Sequence, residues 1–313
     1  MFTIQTNISL KTKNWFNTGG NARFYAAPSN LEELTTSLHF AQQQNLPIFV
    51  LGQGANILVS DDGFDGLVIH PQTNNITIIG SDANNIYVQA DAGVLIQDLI
   101  EWCLDHNILG LEEFSGIPGT VGGSMYINLH YYQFLLAQFV HNAQVIDIQN
   151  HTIETVNLEW FAFGYNVSTL QQKKHILLNT TFILKKTSDL EIAYARGRRA
   201  EIIRHRAARY PQKNTCGSFF RNFYPDEVTL ESNGKRMIYV AYYLDKIGVK
   251  GTLKSGDAIV SYQHANMIVN QGEATSADII AVARMMQERV KESFGIVPQP
   301  ECQLIGFEKG ALL

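Results

Sequence analysis

Two short segments of this chain concentrate backbone donors without side-chain bulk. The first, Leu51-Gly52-Gln53-Gly54-Ala55-Asn56, directly follows a strand-like run. Glycine lets the main chain approach an anion closely, and successive N–H groups then cradle a phosphate. A tight turn requiring positive φ explains the same residues equally well. This is not a Rossmann fingerprint: Ile57 stands where the third glycine belongs, and Leu58-Val59 continue as a strand rather than a helix. No GxxxxGK[ST] occurs anywhere in the chain. The second segment, SGIPGTVGGS at 115–124, holds four glycines, one proline and three hydroxyls in ten residues. It reads as a rigid turn suited to a pyrophosphate, or as a structural corner. Both loops in one chain favour a dinucleotide ligand. A third concentration is basic: Arg196, Arg198, Arg199, Arg204, Arg206 and Arg209 lie within 14 residues.

The elements that must position these segments alternate between helical and strand periodicity. Leu31, Leu34, Leu38 and Ala41 have helical spacing, with Ser29 and Glu32 placed as a capping box and Pro47 as the stop. Residues 48–51 read as a buried strand, followed by strands at 57–59 and 66–69 around the turn Asp61-Asp62-Gly63. The polar, Asn-rich stretch 72–85 reads as a connection between subdomains. Residues 86–90 alternate as a strand, and Ile96, Leu99, Ile100 and Cys103 mark a second helix. At least three strands are expected in 140–186, including 143–148 and 180–184. A last helix is bounded by Thr275 and Asp278 at its start and Gly295 at its end. The expected organisation is 1–71 and 72–190 as two subdomains, then a C-terminal domain at 191–313, its basic composition setting in near Arg196.

Composition restricts the function classes. With 313 residues, 45% hydrophobic and 17% charged, the chain can build about two ordinary cores. A net charge of −5 with 24 cations argues against a nucleic-acid binder. No apolar run approaches the ~20 residues of a membrane span, and residues 1–15 lack a signal peptide's basic start and apolar block. Cys103, Cys216 and Cys302 are too scattered for a disulfide framework or a CxxC pair, and no metal site is expected. A cytoplasmic enzyme or binding module is expected.

Five segments in order make the reading specific. LGQGANILVSD at 51–61 runs on to GFDGLVI at 63–69, followed by SGIPGTVGG at 115–123 and GSFFRN at 217–222. His264-Ala265-Asn266 precedes Ile268-Val269-Asn270, and Pro300-Glu301 precedes Leu304-Ile305-Gly306. Together they resemble the UDP-N-acetylenolpyruvoylglucosamine reductase (UDP-N-acetylmuramate dehydrogenase) family over about residues 15–306. The resemblance implies an α+β protein: a two-subdomain, vanillyl-alcohol-oxidase-like FAD-binding fold with a C-terminal α/β substrate domain. It implies non-covalent FAD, NADPH as co-substrate, and reduction of UDP-GlcNAc-enolpyruvate to UDP-N-acetylmuramate for peptidoglycan synthesis. A monomer with no nucleic-acid or membrane partner is expected. Hydride goes to the enolpyruvyl β-carbon, leaving enolate character that needs stabilisation and a proton at the α-carbon.

By the resemblance, Ser218 gives that proton, and Glu301 assists as an acid or by stabilising the enol form. Gly52, Gln53, Gly54, Ala55, Asn56, Ser115, Gly116, Pro118, Gly119, Gly122 and Gly123 fall on the cofactor loops. Tyr165, Asn166, Arg206, Arg209 and Asn222 fall near substrate. Out of context Ser218 reads as a turn hydroxyl, Glu301 as a solvated charge, Asn222 as a cap and the arginines as one helix face. Two stretches depart from the family pattern. Where it carries Tyr-Arg-x-Ser, this chain has Tyr165-Asn166-Val167-Ser168, so a guanidinium becomes a neutral amide. Where it carries Asn-Ala-Gly-Ala-Tyr-Gly, this chain has Asn128-Leu129-His130-Tyr131-Tyr132-Gln133. Another arginine, such as Arg221 or one of the cluster, compensates; the enzyme is slow; or the protein only binds flavin or UDP-sugar. A flavin oxidase of the same fold is the remaining alternative.

Overall fold

A computed structural model describes residues 2–313 of the chain. Contacts divide it into two compact units, neither continuous in sequence. One comprises the residues up to Thr6, Phe24–Gln53 and Gly66–Arg206, and the other comprises Asn7–Arg23, Gly54–Asp65 and Ala207–Leu313. The chain therefore passes from one unit to the other inside the first glycine loop, between Gln53 and Gly54.

In the first unit, helix α1 (Leu31–Gln43) buries Leu34, Leu38 and Ala41 against Leu67, Ile69, Ile146 and Ile176. Its cap sits one residue later than the sequence suggests. The Asn30 side chain accepts from the Glu33 amide at 3.0 Å, and the Glu33 carboxylate accepts from the Ser29 amide at 2.7 Å. The helix also ends before Pro47 acts: Asn45 turns left-handed at φ 50° and the Leu46 amide closes onto Ala41 O. Strand Ile48–Val50 pairs in parallel with Leu67 to Ile69, but it is not the buried strand expected, because Val50 is exposed.

The main sheet of this unit is antiparallel, in the order Ile153–Asn157, Val140–Asp147, His175–Lys186, Ile86–Asp91, Ile76–Ser81. The short strand Ile108–Leu109 pairs with the end of the long one. Residues 76–81 were expected as part of a polar connection, yet they form the edge strand, with Ile78 opposite Val88. The Asn-rich character belongs to the turn that follows. There the Asp82 carboxylate accepts from the Asn84 and Asn85 amides, each at 2.8 Å, and these bonds hold its pKa down at about 2. Helix α2 (Ile96–Asp105) packs Ile96, Leu99, Ile100 and Cys103 into the same core as Val88, Ala90, Phe182 and Leu184. The short helix α3 (Val121–Tyr126) begins in the second glycine loop, capped by Thr120, whose hydroxyl accepts from the Gly123 amide at 3.1 Å. Helix α4 (Asp189–Arg209) carries all six clustered arginines, so the change of composition near Arg196 falls in mid-helix rather than at an element boundary.

The second unit is built on helix α5 (Val240–Lys246), helix α6 (Ser276–Phe294) and a small antiparallel sheet of Lys254–Ser255, Ala258–Val260 and Ile268–Asn270. Ile279, Val282, Ala283, Met286 and Val290 of α6 share a core with Phe219, Phe220, Tyr243, Val260 and Ile268. The Thr275–Asp278 capping box forms as read, and Gly295 ends the helix at φ 73°. Strand Gln303–Ile305 lies parallel to Ile57–Val59.

Candidate active site

In the first unit the two glycine loops meet. A Cβ on Gly52 would lie 2.7 Å from the Thr120 hydroxyl, so residue 52 must stay bare for the loops to approach. The amides of Gly52 and Gln53 donate to no acceptor among the described residues, which is the condition for an anion cradle. In the second unit the same holds for the amides of Ala55 and Asn56. Gly54 adopts φ 68° there, and a Cβ would come within 2.3 Å of Lys13 O.

The second loop keeps fewer donors than its composition suggests, because it is pinned from within. The Ser115 hydroxyl donates to Glu112 O at 2.6 Å, and the Gly122 amide to Ala92 O at 2.8 Å. Gln97 on α2 clamps it further, accepting from the Gly116 amide at 2.8 Å and donating to Ile117 O at 2.9 Å. Pro118 has no N–H, and the Gly119 amide, at φ 150°, donates to no acceptor among the described residues. A rigid loop with open amides at Gly119 and Thr120, beside a second loop with open amides, suits a diphosphate-bearing cofactor such as FAD. Gln97 gave no sequence signal, since one glutamine on a helix reads as a solvated polar face.

The arginine cluster resolves into separate roles. Arg196 pairs with Glu101 and Asp105, Arg198 grips Glu113 through two bonds of 2.9 Å, Arg199 meets Glu101 at 3.3 Å and Arg204 holds Glu201. Four of the six thus meet carboxylates, from different sides of the helix. Arg206 differs: its Nε donates to Gly116 O at 3.2 Å and its guanidinium lies 5.7 Å from the centre of the Tyr131 ring. Arg206 is thereby tied to the second glycine loop. Arg209, in the second unit, lies over the Tyr210 ring at 5.6 Å. Arg221, the other compensating candidate, is committed to Glu227 through two bonds of 2.7 Å and covers the Tyr224 ring. That guanidinium holds the Glu227 carboxyl below the usual range.

Tyr165 and Asn166 form the tip of a two-residue turn closed by the Gly164 and Val167 backbones. Asn166 is left-handed there at φ 58°, a conformation asparagine tolerates better than arginine. Both departures from the family pattern belong to one contact. Asn128 donates to Gly164 O at 3.1 Å, and the His130 and Tyr165 rings lie 5.0 Å apart. Burial pushes the His130 pKa down, which favours the neutral ring.

In the second unit the backbones of residues 219–221 and 299–302 run side by side, so that Ser218 immediately precedes the paired segment. The Glu301 amide donates to Phe219 O at 2.8 Å, the Cys302 amide to the same oxygen at 3.2 Å, and Phe220 bridges Pro300. Asn56 of the first glycine loop joins them, donating from its side chain to Glu301 O at 3.4 Å and accepting from the Gln303 amide at 3.0 Å. Ser218 and Glu301 are both half-buried, with neither the full exposure of a turn hydroxyl nor that of a solvated charge. Asn222 follows closely, and its side chain accepts from the Val240 amide at the start of α5, the cap-like role open to it. Asn266 was part of a quoted motif but had no assigned role. It is 3% exposed and bonded on both edges to Phe220.

Comparison with known proteins gives the family. Residues 22–157 match the FAD binding domain family, and residues 210–305 match the C-terminal domain of UDP-N-acetylenolpyruvoylglucosamine reductase. The reductase of Trichormus variabilis is 33% identical over 303 residues, covering 97% of this chain and 86% of its own. That of Clostridium novyi is 29% identical over 97% of this chain and 93% of its own. Among solved structures, the Thermus caldophilus reductase superposes with a TM-score of 0.77 at 26% identity, over 97% of this chain and all of that one. The α+β class follows, with an FAD-binding part and a distinct C-terminal domain. The chain belongs to the UDP-N-acetylenolpyruvoylglucosamine reductase family, oxidoreductases of peptidoglycan synthesis that work with FAD and NADPH.

Proposed function

We propose that this chain reduces UDP-GlcNAc-enolpyruvate to UDP-N-acetylmuramate, with Ser218 as the proton donor and Glu301 as its partner. The observation that carries this reading is the adjacency of the 219–221 backbone, which follows Ser218 directly, to the 299–302 backbone, with Asn56 of the first glycine loop bonded to the second of them. FAD, when bound, would supply the hydride chemistry that links NADPH to the β-carbon of the enolpyruvyl group. In the first unit the open amides of Gly52, Gln53 and Gly119 would hold its diphosphate, and the small residues Gly116, Gly122 and Gly123, with Ser115 and Pro118, would shape the second wall; Gly54, Ala55 and Asn56 continue the first loop into the second unit.

Ser218 then delivers a proton from Oγ to the α-carbon. A serine hydroxyl is a weak acid, so it serves only against a strongly basic carbanion within hydrogen-bond reach. Glu301 offsets the enolate charge, as a proton source or as a hydrogen-bond partner of the enol. Arg206 rather than Asn166 meets the substrate carboxylate, a role supported by its place against the second glycine loop, on Gly116 O and over the Tyr131 ring. Tyr165, Asn166, Arg209 and Asn222 line the remaining contacts with the sugar nucleotide. On this reading residues 1–71 and 72–190 serve the cofactor and 191–313 the substrate.

Anaerobic half-reactions test it. Ser218→Ala leaves flavin reduction by NADPH unchanged and slows reoxidation by UDP-GlcNAc-enolpyruvate by about 10²-fold or more, the usual worth of a positioned acid. Unchanged reoxidation removes Ser218 from the role.

A further inference from the structure

The chain segment that follows Ser218 is held from two sides. On one, the carbonyl of Phe219 receives the amides of Glu301 and Cys302 at 2.8 and 3.2 Å. On the other stands Asn266. Its backbone oxygen accepts from the Phe219 amide at 2.8 Å. Its side chain then behaves like one more residue of a strand: Oδ1 accepts from the Phe220 amide at 3.1 Å and Nδ2 donates to Phe220 O at 2.7 Å. Phe219 and Phe220 are fully buried and Asn266 is 3% exposed, so water competes for none of these bonds.

Asn266 is itself fixed. Its amide donates to Nδ1 of His264 at 3.3 Å, and the His264 ring packs against Tyr210 with centroids 5.3 Å apart. Burial lowers the His264 pKa and so preserves the neutral ring, whose Nδ1 can accept. An asparagine is the residue for this place because one planar amide offers a donor and an acceptor at the spacing of a peptide edge. Aspartate would set a second acceptor against Phe220 O, and leucine would leave both Phe220 groups unpaired.

We infer that Asn266 is the positioning residue for Ser218: by locking both edges of Phe220 while Glu301 and Cys302 lock Phe219, it fixes the chain immediately after Ser218 and so the place from which Oγ delivers its proton. This deepens the proposed function and rests on Ser218 being the proton donor. Asn266 touches no reacting atom on this account and acts only through Ser218.

A double-mutant cycle on the full-length holoenzyme tests the inference, using Asn266→Asp, Ser218→Ala and the pair. Flavin reduction by NADPH and flavin reoxidation by UDP-GlcNAc-enolpyruvate are followed separately under anaerobic conditions. Expected is a tenfold or greater slowing of reoxidation by Asn266→Asp in the native background, less than twofold in the Ser218→Ala background, and unchanged reduction in both. Hydrogen exchange of the peptide spanning 216–223 should quicken in Asn266→Asp, a readout independent of turnover. Where Asn266→Asp does not fold, Asn266→Gln carries the cycle, since it keeps both amide functions but moves them out by a methylene. Equal slowing in both backgrounds, no slowing, an equal loss in the NADPH half-reaction, or unaltered exchange each overturns the inference alone. If Ser218→Ala itself leaves reoxidation unchanged, the proton-donor reading falls and takes this one with it.

Discussion

Asn166 shows how one residue type can be explained by backbone and questioned by chemistry together. At φ 58° in a two-residue turn it occupies a left-handed position that costs a β-carbon-bearing residue about 1–2 kcal/mol, less for asparagine. A guanidinium at this site would supply a charge the neutral amide lacks. On the proposed reading Arg206, on Gly116 O and over the Tyr131 ring, supplies it from elsewhere. Asn166→Ala should therefore destabilise the protein by about 1 kcal/mol in urea unfolding, and Asn166→Gly by a few tenths at most. Equal stabilities for the two variants would show that the turn does not impose its conformation.

At the scale of elements, the glycine loops depend on what surrounds them as much as on glycine. Gly52 is bare because Thr120 is opposite it, and Thr120 cannot turn away without releasing the Gly123 amide it caps. Gly52→Val should thus lower flavin content severalfold in the purified protein, read as the ratio of flavin to protein absorbance. A full complement of flavin in that variant would place the cofactor elsewhere. Helix limits followed the same logic of local chemistry. The α6 box was legible because threonine and aspartate stood alone at the right spacing, whereas Ser29-Asn30 and Glu32-Glu33 offered two overlapping boxes that differ by one residue. The stop before Pro47 was Asn45, since asparagine turns left-handed readily and closes the last turn first. The arginine cluster looked like a composition boundary, yet it lies within one helix, and Arg196 and Arg199 find their partners on α2, almost a hundred residues earlier.

For the whole molecule, two units with separate cores are threaded by a chain that changes unit inside the first glycine loop. All three cysteines are free and buried, and burial pushes the Cys103 thiol up to about 12 and Cys302 well above its ordinary value. Such thiols are poor nucleophiles toward a flavin ring. Denaturation followed by ultrafiltration should therefore release the FAD completely into the filtrate, and yellow colour retained on the protein would demonstrate a covalent link.

Sequence by itself determined what depends on neighbours along the chain. The alternation of residues 86–90, the spacing of Leu34, Leu38 and Ala41, the α6 caps and the two glycine loops all follow from residue type and period. It also held five ordered motifs, enough to point to the family. Tertiary structure alone decided which carboxylates take the arginines, that Gln97 pins the second loop, that residues 76–81 gain a strand partner, and that Asn266 grips the chain beside Ser218. The physical reason is the same in each case. A hydrogen bond or ion pair between residues tens to hundreds of positions apart leaves no periodic trace in the sequence, and only the folded chain brings its two halves together.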